Sequence, residues 1–293
     1  MALRRVAVVG PFSGPRAAWG ELLKEAVSGS PTARGSGLSW EFLDDRGDAE
    51  TAAKLAGRIA RDGGYLAVLG HFNGFGAAAA IPLYRGKVPL LLPLSTKPGL
   101  LRGERWVLRW SPDDNAQMRA LSQAILGRGV RSMMILREQS AYGEDLARCF
   151  AANFAGSRPA SSAHVPGAPL RLGPEPEAIL ICGSHPVCAK IATDVRATGF
   201  AGLLAFTDDC GVGEFPGLIR PAPGEAVVAR VSDGSAGLVR ASVEALTAGV
   251  LASPESEGLD LLRSIRTVAT VSFTRDGDRE TEGGWDVVPL GGF

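Results

Sequence analysis

The residues of this 293-residue chain best suited to chemistry are hydroxyls, an indole ring and an acidic pair, each placed just past a short apolar run. Ser13 and Trp19 follow the run at 6–9, and Gly74, Phe75 and Gly76 follow the run at 65–69. Ser95 and Thr96 follow 88–92, while Asp208 and Asp209 close the run at 202–207. Hydroxyls and the N–H groups at a helix start hold anions, carboxylates hold cations, and an indole offers an apolar wall or a π face. Such a set can grip a small molecule that carries both charges and an apolar part.

Each residue also has a plainer reading. Ser95 or Thr96 can cap the turn that follows, Asp208-Asp209 can be a solvated turn, and Trp19 can be ordinary helix-packing core. What sets them apart is a shared address, since open α/β sheets bind ligands outside the carboxyl ends of their strands.

Support for catalysis is thin. His71, His164 and His185 are the only histidines, and neither a Gly-x-Ser-x-Gly elbow nor a phosphate-binding loop occurs. Cys182-x-x-His185-x-x-Cys188, with Asp208 or Cys210 nearby, has the spacing of half a zinc motif but lacks the second pair. Buried thiols are the simpler reading, so we expect no enzyme, no metal and no cofactor.

Charge and length bound the rest. Lys plus Arg and Asp plus Glu both total 31, for a net charge of zero, and no basic block tracks phosphates, which excludes nucleic acid as an expected partner. Hydrophobic residues make up 45% of the chain, yet no uninterrupted apolar run approaches the roughly 18–20 residues of a membrane span. A soluble protein of two domains is expected.

These residues need elements that alternate. The pattern predicts a strand at 6–9, a helix at 17–27, a Gly/Ser/Pro-rich connector at 28–37, a strand at 39–44 and a helix at 49–62. That last helix is capped by Asp48 and buries Ala53, Leu55, Ala56 and Ile59. A strand at 65–69, an alanine-rich helix to Tyr84, a strand at 88–92 and a crossing strand at 106–110 complete the first half. A second series follows: helix 116–126, strand 132–136, helix 143–154, strand 178–182, helix 186–198 and strand 202–207. The segment 155–176 reads as loop with a weak strand around His164-Val165. Last come strand 225–231, helices 236–248 and 258–265, and a terminal pair at 270–273 and 284–288 joined through a hairpin turn at 275–278. Repeated β–α steps imply an α/β fold of two Rossmann-like lobes, each a parallel sheet flanked by helices.

The wording Ser13-Gly14-Pro15-x-Ala17-x-Trp19-Gly20 after a first strand resembles the opening of the leucine/isoleucine/valine-binding proteins, the amino-acid-binding components of ABC importers. Asp44-Asp45, Tyr142-Gly143-Glu144 and Cys182-Gly183-Ser184-His185-Pro186 follow in the family's order, and the order of elements is similar to the type I periplasmic-binding-protein fold along nearly the whole chain.

The resemblance implies lobe 1 at 1–117, lobe 2 at 118–231, and a return to lobe 1 over 232–293 with the tail crossing the hinge. It implies a ligand carboxylate gripped at the loops of Gly74 and Ser95-Thr96, with the Gly74 position lacking a hydroxyl. It implies an ammonium met by Asp209, a pocket tyrosine at Tyr142, and Ser184 where many relatives carry an aromatic ring. His71 falls in a family Gly-His pair, a structural position. The function implied is capture of a small amino-acid-like ligand by lobe closure, with an ABC permease as partner; a repurposed enzyme or an interaction scaffold on the same fold stands behind it as an alternative. Extracytoplasmic relatives often carry a disulfide whose matching places, near Arg46-Gly47 and Asn73, hold no cysteine here. With the first strand starting within a few residues of Met1, this favours a cytoplasmic sensor holding a regulator or enzyme, or an extracytoplasmic protein if a signal peptide has been removed.

Overall fold

A computed structural model of the chain describes residues 4–156, 159–173, 176–219, 224–281 and 283–290. It divides into two compact units, Met1–Asp113 with Asp233–Glu282, and Asp114–Ser232 with Gly283–Phe293.

The first unit opens with β1 (Arg4–Gly10), whose Val6, Ala7, Val8 and Val9 are wholly buried. It continues through α1 (Ala17–Ser28), α2 (Pro31–Gly35), β2 (Leu38–Asp44), α3 (Ala49–Asp62), β3 (Tyr65–Leu69), α4 (Gly74–Tyr84), β4 (Leu90–Leu92) and β5 (Val107–Arg109). Its sheet runs β2-β1-β3-β4-β5 with every pairing parallel. A parallel strand covered on both faces must be apolar there, which is why residues 6–9 of β1 and all of β4 read as unbroken hydrophobic runs.

Two details differ from expectation. The connector at 28–37 contains α2, because Ser30 accepts a hydrogen bond from the Ala33 N–H and Pro31 occupies a position where a missing N–H costs nothing. In α3, capped by Asp48 through the Thr51 N–H at 2.7 Å, Ala52 rather than Ala53 joins Leu55, Ala56 and Ile59 in the core. Only that first position differs: Ala52 lies three residues before Leu55 and four before Ala56, which keeps the mixed three- and four-residue spacing.

The second unit comprises α5 (Asp114–Gly127), β6 (Met133–Arg137), α6 (Ala141–Asn153), β7 (Ala160–Ala163), β8 (Ala178–Cys182), α7 (His185–Ala197), β9 (Leu203–Phe206), a 3-10 turn (Asp208–Gly211), α8 (Phe215–Leu218) and β10 (Ala226–Val231). The chain then returns to the first unit for α9 (Ser235–Ala252) and α10 (Gly258–Val268), and ends with β11 (Trp285–Pro289) in the second sheet. That sheet is ordered β11-β10-β9-β8-β6-β7.

Here too the structure corrects the reading. The weak strand lies at Ala160–Ala163, just before the expected His164-Val165, and forms an exposed parallel edge beside β6. The turn at 275–278 closes a short antiparallel contact, with Phe273 bridged to Arg279, the Thr274 N–H donating to the Asp278 carbonyl at 2.7 Å and the Glu280 N–H to the Ser272 carbonyl at 2.9 Å. But 284–288 is not its second arm: β11 pairs antiparallel with β10, Val231 opposite Trp285. Apolar residues at 284–288 gain more by covering the second core, where Trp285 is buried, than by pairing with the polar-flanked 270–273 segment. The first exchange between units falls at Asp113, slightly earlier than 117, because α5 packs with β10 and β11.

α9 reaches a mean hydropathy of 1.2 over 18 residues, enough by length and composition to cross a membrane. It instead packs on α1, α2 and α10, burying Leu238, Val239, Val243 and Leu246, and so is a core helix of the first unit.

Candidate functional site

In the first unit the register of β1 with β2 pairs Gly10 with Asp44, so the loops after both strands leave the sheet at one level. Ser13 bridges them: its backbone N–H and hydroxyl both donate to the Asp44 carboxylate. Ser13 is exposed and its hydroxyl is spent on this tie. Partial burial pushes the Asp44 carboxyl up, but hydrogen bonds from the Ser13 hydroxyl and from the backbone of Arg46, Ser13 and Phe12 outweigh it and leave it below its ordinary value.

Trp19 is 4% exposed and stacks on Phe72, with ring centroids 4.9 Å apart. It is packed as core against the loop that feeds α4. Gly20 beside it is required by close approach, since a Cβ there would fall 2.3 Å from the Pro11 carbonyl oxygen.

The loop after β3 is built on a buried relay. His71 Nδ1 lies 3.1 Å from Asp45 Oδ2 and its Nε2 lies 3.1 Å from the Tyr84 hydroxyl, and His71 and Tyr84 are fully buried. Burial, with the Asp45 charge nearby, pushes the Tyr84 hydroxyl far above its ordinary range. Asn73 then caps α4, accepting from the Gly76 N–H at 2.5 Å while its amide donates to the Gly47 carbonyl at 2.8 Å. The N–H groups of the first turn of α4, including those of Gly74 and Phe75, have no intrahelical acceptor by helix geometry.

Ser95 and Thr96 sit past β4, both buried. The Ser95 hydroxyl is fully buried and makes no hydrogen bond, so it does not cap the following turn. Its loop is pinned from below: Ser111 Oγ donates to the Ser95 carbonyl at 2.7 Å, and the Arg109 guanidinium donates to the Lys97 carbonyl at 2.7 Å. Arg109 is 3% exposed and also pairs with Asp278 at 2.7 Å. Sequence reasoning missed Asn73, Arg109 and Ser111. Only Asn73 carried a signal, an Asn-Gly step before an alanine-rich run.

In the second unit Asp209 is 1% exposed, so the Asp208-Asp209 pair is no solvated turn. Asp209 Oδ2 accepts from the backbone N–H of His185 at 2.6 Å and lies 3.2 Å from its Nδ1, while His185 Nε2 lies 2.7 Å from Glu214 Oε1. Burial lowers the His185 pKa, but Asp209 and Glu214 outweigh it and raise the net value. Ser184 caps α7 without a side-chain cap bond. Instead its N–H and hydroxyl donate to the Glu138 carboxylate at 2.9 and 3.2 Å. Tyr142, in the first turn of α6, is half-buried and packs on the second core.

Burial raises the Cys182 and Cys210 thiols well above the ordinary value, half-buried Cys149 donates to Asn115 Oδ1 at 3.4 Å, and none of the four cysteines is in a disulfide. Among the described residues no group of three or more His, Cys, Asp or Glu could hold a metal ion.

Against known proteins, the chain resembles the leucine-specific-binding protein of Salmonella typhimurium, 29% identical over 154 residues that make up 49% of this chain and 42% of the relative. The Leu/Ile/Val-binding protein of Escherichia coli K12 matches to the same extent, 29% over 154 residues. The matched part thus spans less than half the length of these relatives. Among solved structures, the branched-chain amino acid transporter substrate binding protein of Streptococcus pneumoniae, in complex with isoleucine, superposes with a TM-score of 0.82 at 17% identity, covering 98% of this chain and 99% of that one. A leucine binding protein from Thermotoga maritima gives 0.81 at 18% identity, with 98% of each chain covered. At these identities the likeness is one of fold. The family profile described as periplasmic binding protein matches residues 4–166, more than half of the sequence, and the chain belongs to that family of binding proteins.

Proposed function

We propose that this protein binds a small amino-acid-like ligand and catalyses nothing. The observation that carries the reading is the Ser95 hydroxyl, wholly buried and without a hydrogen-bond partner in a loop held fixed at the carboxyl end of β4. Buried hydroxyls nearly always have a partner, so an uncommitted one marks a place where a ligand oxygen completes the set. The first turn of α4, reached by the same loop through Lys97, supplies further N–H donors for a carboxylate.

In the second unit Asp209 is the proposed partner of the ligand ammonium, with one carboxylate oxygen fixed by His185. Thr96, Phe75, Tyr142 and Ser184 are proposed to line the ligand, with Ser13 and Trp19 shaping the first loop. The relatives named for leucine, isoleucine and valine, together with the family's name, support a substrate-binding role beside an ABC permease. A second reading, a cytoplasmic sensor acting on a regulator or enzyme, is favoured by four cysteines of which none is in a disulfide and three are buried.

Thermal unfolding against a panel of amino acids, amides and small organic acids tests the reading. A ligand at 100 times its dissociation constant raises stability by about 2.7 kcal/mol. A selective shift that Ser95→Ala and Asp209→Ala each diminish supports the reading, and a panel that leaves the transition unmoved sinks it.

A further inference from the structure

All four cysteines of the chain fall in the second unit. Cys182, the last residue of β8, is buried in the core that α5 and α6 cover, and Cys149 of α6 packs against that same core. Cys188 and Cys210 are brought together by other elements. Cys188 closes the first turn of α7, its N–H donating to the Ser184 carbonyl at 2.8 Å, and Cys210 follows Asp209 in the 3-10 turn. Cys188 has both Cys182 and Cys210 in its electrostatic neighbourhood, but it is the Cys210 thiol that hydrogen-bonds to it. The backbone fixes this contact from both sides. Asp209 accepts the His185 N–H at 2.6 Å, one turn before Cys188, and the Cys210 N–H donates to the Thr207 carbonyl at 3.0 Å. Both side chains are wholly buried.

Two thiols in contact are one two-electron oxidation away from a disulfide, in which the sulfurs stand about 2.05 Å apart. The finished fold resists that step, because the thiolate is the nucleophile and an apolar surrounding disfavours it. In the folding chain the thiols are still in water, and the native packing of α7 on the 3-10 turn then holds the pair together.

We propose that Cys188 and Cys210 form a disulfide when the chain folds in the presence of a small-molecule disulfide such as oxidised glutathione. One cysteine thiolate attacks a sulfur of the oxidant, which breaks the oxidant's S–S bond and expels one glutathione thiolate. The other cysteine thiolate then attacks the protein sulfur of the mixed disulfide and expels the second glutathione. The two protons lost by the cysteines end on the two glutathione thiols, so the dithiol gives up two electrons and the oxidant takes up two. The bond fastens α7 to the turn that carries Asp209, on either side of β9. It needs no ligand, so it stands or falls apart from the binding function.

The full chain is denatured and reduced, then refolded by dilution into mixed reduced and oxidised glutathione or into excess dithiothreitol. Alkylation of the remaining thiols and peptide mass mapping should find Cys188 joined to Cys210 in the first sample and all four cysteines alkylated in the second. The joined form should melt about 5 °C or more above the reduced one. Cys188→Ser and Cys210→Ser should each lose the crosslink and the gain, and Cys149→Ser should keep both. Mapping of the wild-type chain decides the pairing even where a serine variant fails to fold. Four alkylated cysteines after refolding with oxidised glutathione, or a bond from Cys182 to Cys188 or to Cys149, overturns the proposal. A joined form that melts no higher than the reduced one overturns it as well, since the native packing then does not hold the pair.

Discussion

Asp209 and His185 are joined twice: Asp209 Oδ2 accepts the backbone N–H of His185 at 2.6 Å and stands 3.2 Å from the Nδ1 of the same residue. One carboxylate thus fixes both the start of α7 and the orientation of its first side chain, whose far nitrogen meets Glu214. The folded-state pKa of His185 is raised, so its contribution is complete below the unfolded value and is lost as pH rises through the folded one. The stability gap between wild type and His185→Gln should be wider at about pH 5.5 than at about pH 8.5. Thermal melts of both proteins across that range check it, and a constant gap refutes it.

Ser95→Ala separates folding from binding. A hydroxyl without a partner contributes nothing to the fold through hydrogen bonding, so the variant should unfold within about 0.5 kcal/mol of wild type. Its ligand affinity should fall about tenfold, or about 1.4 kcal/mol. Denaturant melts and calorimetry on one preparation read both quantities; a large loss of stability with affinity intact would show a structural hydroxyl.

Tyr84→Phe leaves His71 Nε2 without its partner in a fully buried place. An unsatisfied buried polar group costs about 1–3 kcal/mol, and the variant should be destabilised by that amount. Because His71 begins the loop that leads to the cap of α4, amide exchange of Gly74 and Phe75 should quicken as well. Unchanged exchange would separate the relay from the α4 cap.

Gly20→Ala should be severely destabilising, by about 3 kcal/mol, because the new methyl meets backbone, the Pro11 carbonyl, rather than a side chain that can swing away. Gly35→Ala, with open space around it, is the control and should be nearly neutral. Urea unfolding of the pair decides, and equal midpoints would contradict the close packing of α1 on its loop.

The alternation of strands and helices is legible in the chain alone, because buried parallel strands must be apolar runs and each helix must keep an apolar stripe. Asp48 as the cap of α3 was legible for the same local reason: a short polar side chain before a periodic run satisfies the helix's open N–H groups. So was the position of Ser13, Gly74 and Ser95 just past strands of the first unit, and of Asp209 just past a strand of the second, which follows from connectivity alone.

What each of those side chains does there depends on the packing of distant segments. Ser13 spends its hydroxyl on Asp44 and Asp209 an oxygen on His185, whereas Ser95 keeps its hydroxyl uncommitted. The placement of β11 beside β10 was likewise settled by which core needed Trp285 covered. Hydrogen-bond partners 24 to 31 residues apart are chosen by the packing that brings loops together. No local pattern in the chain encodes that distance.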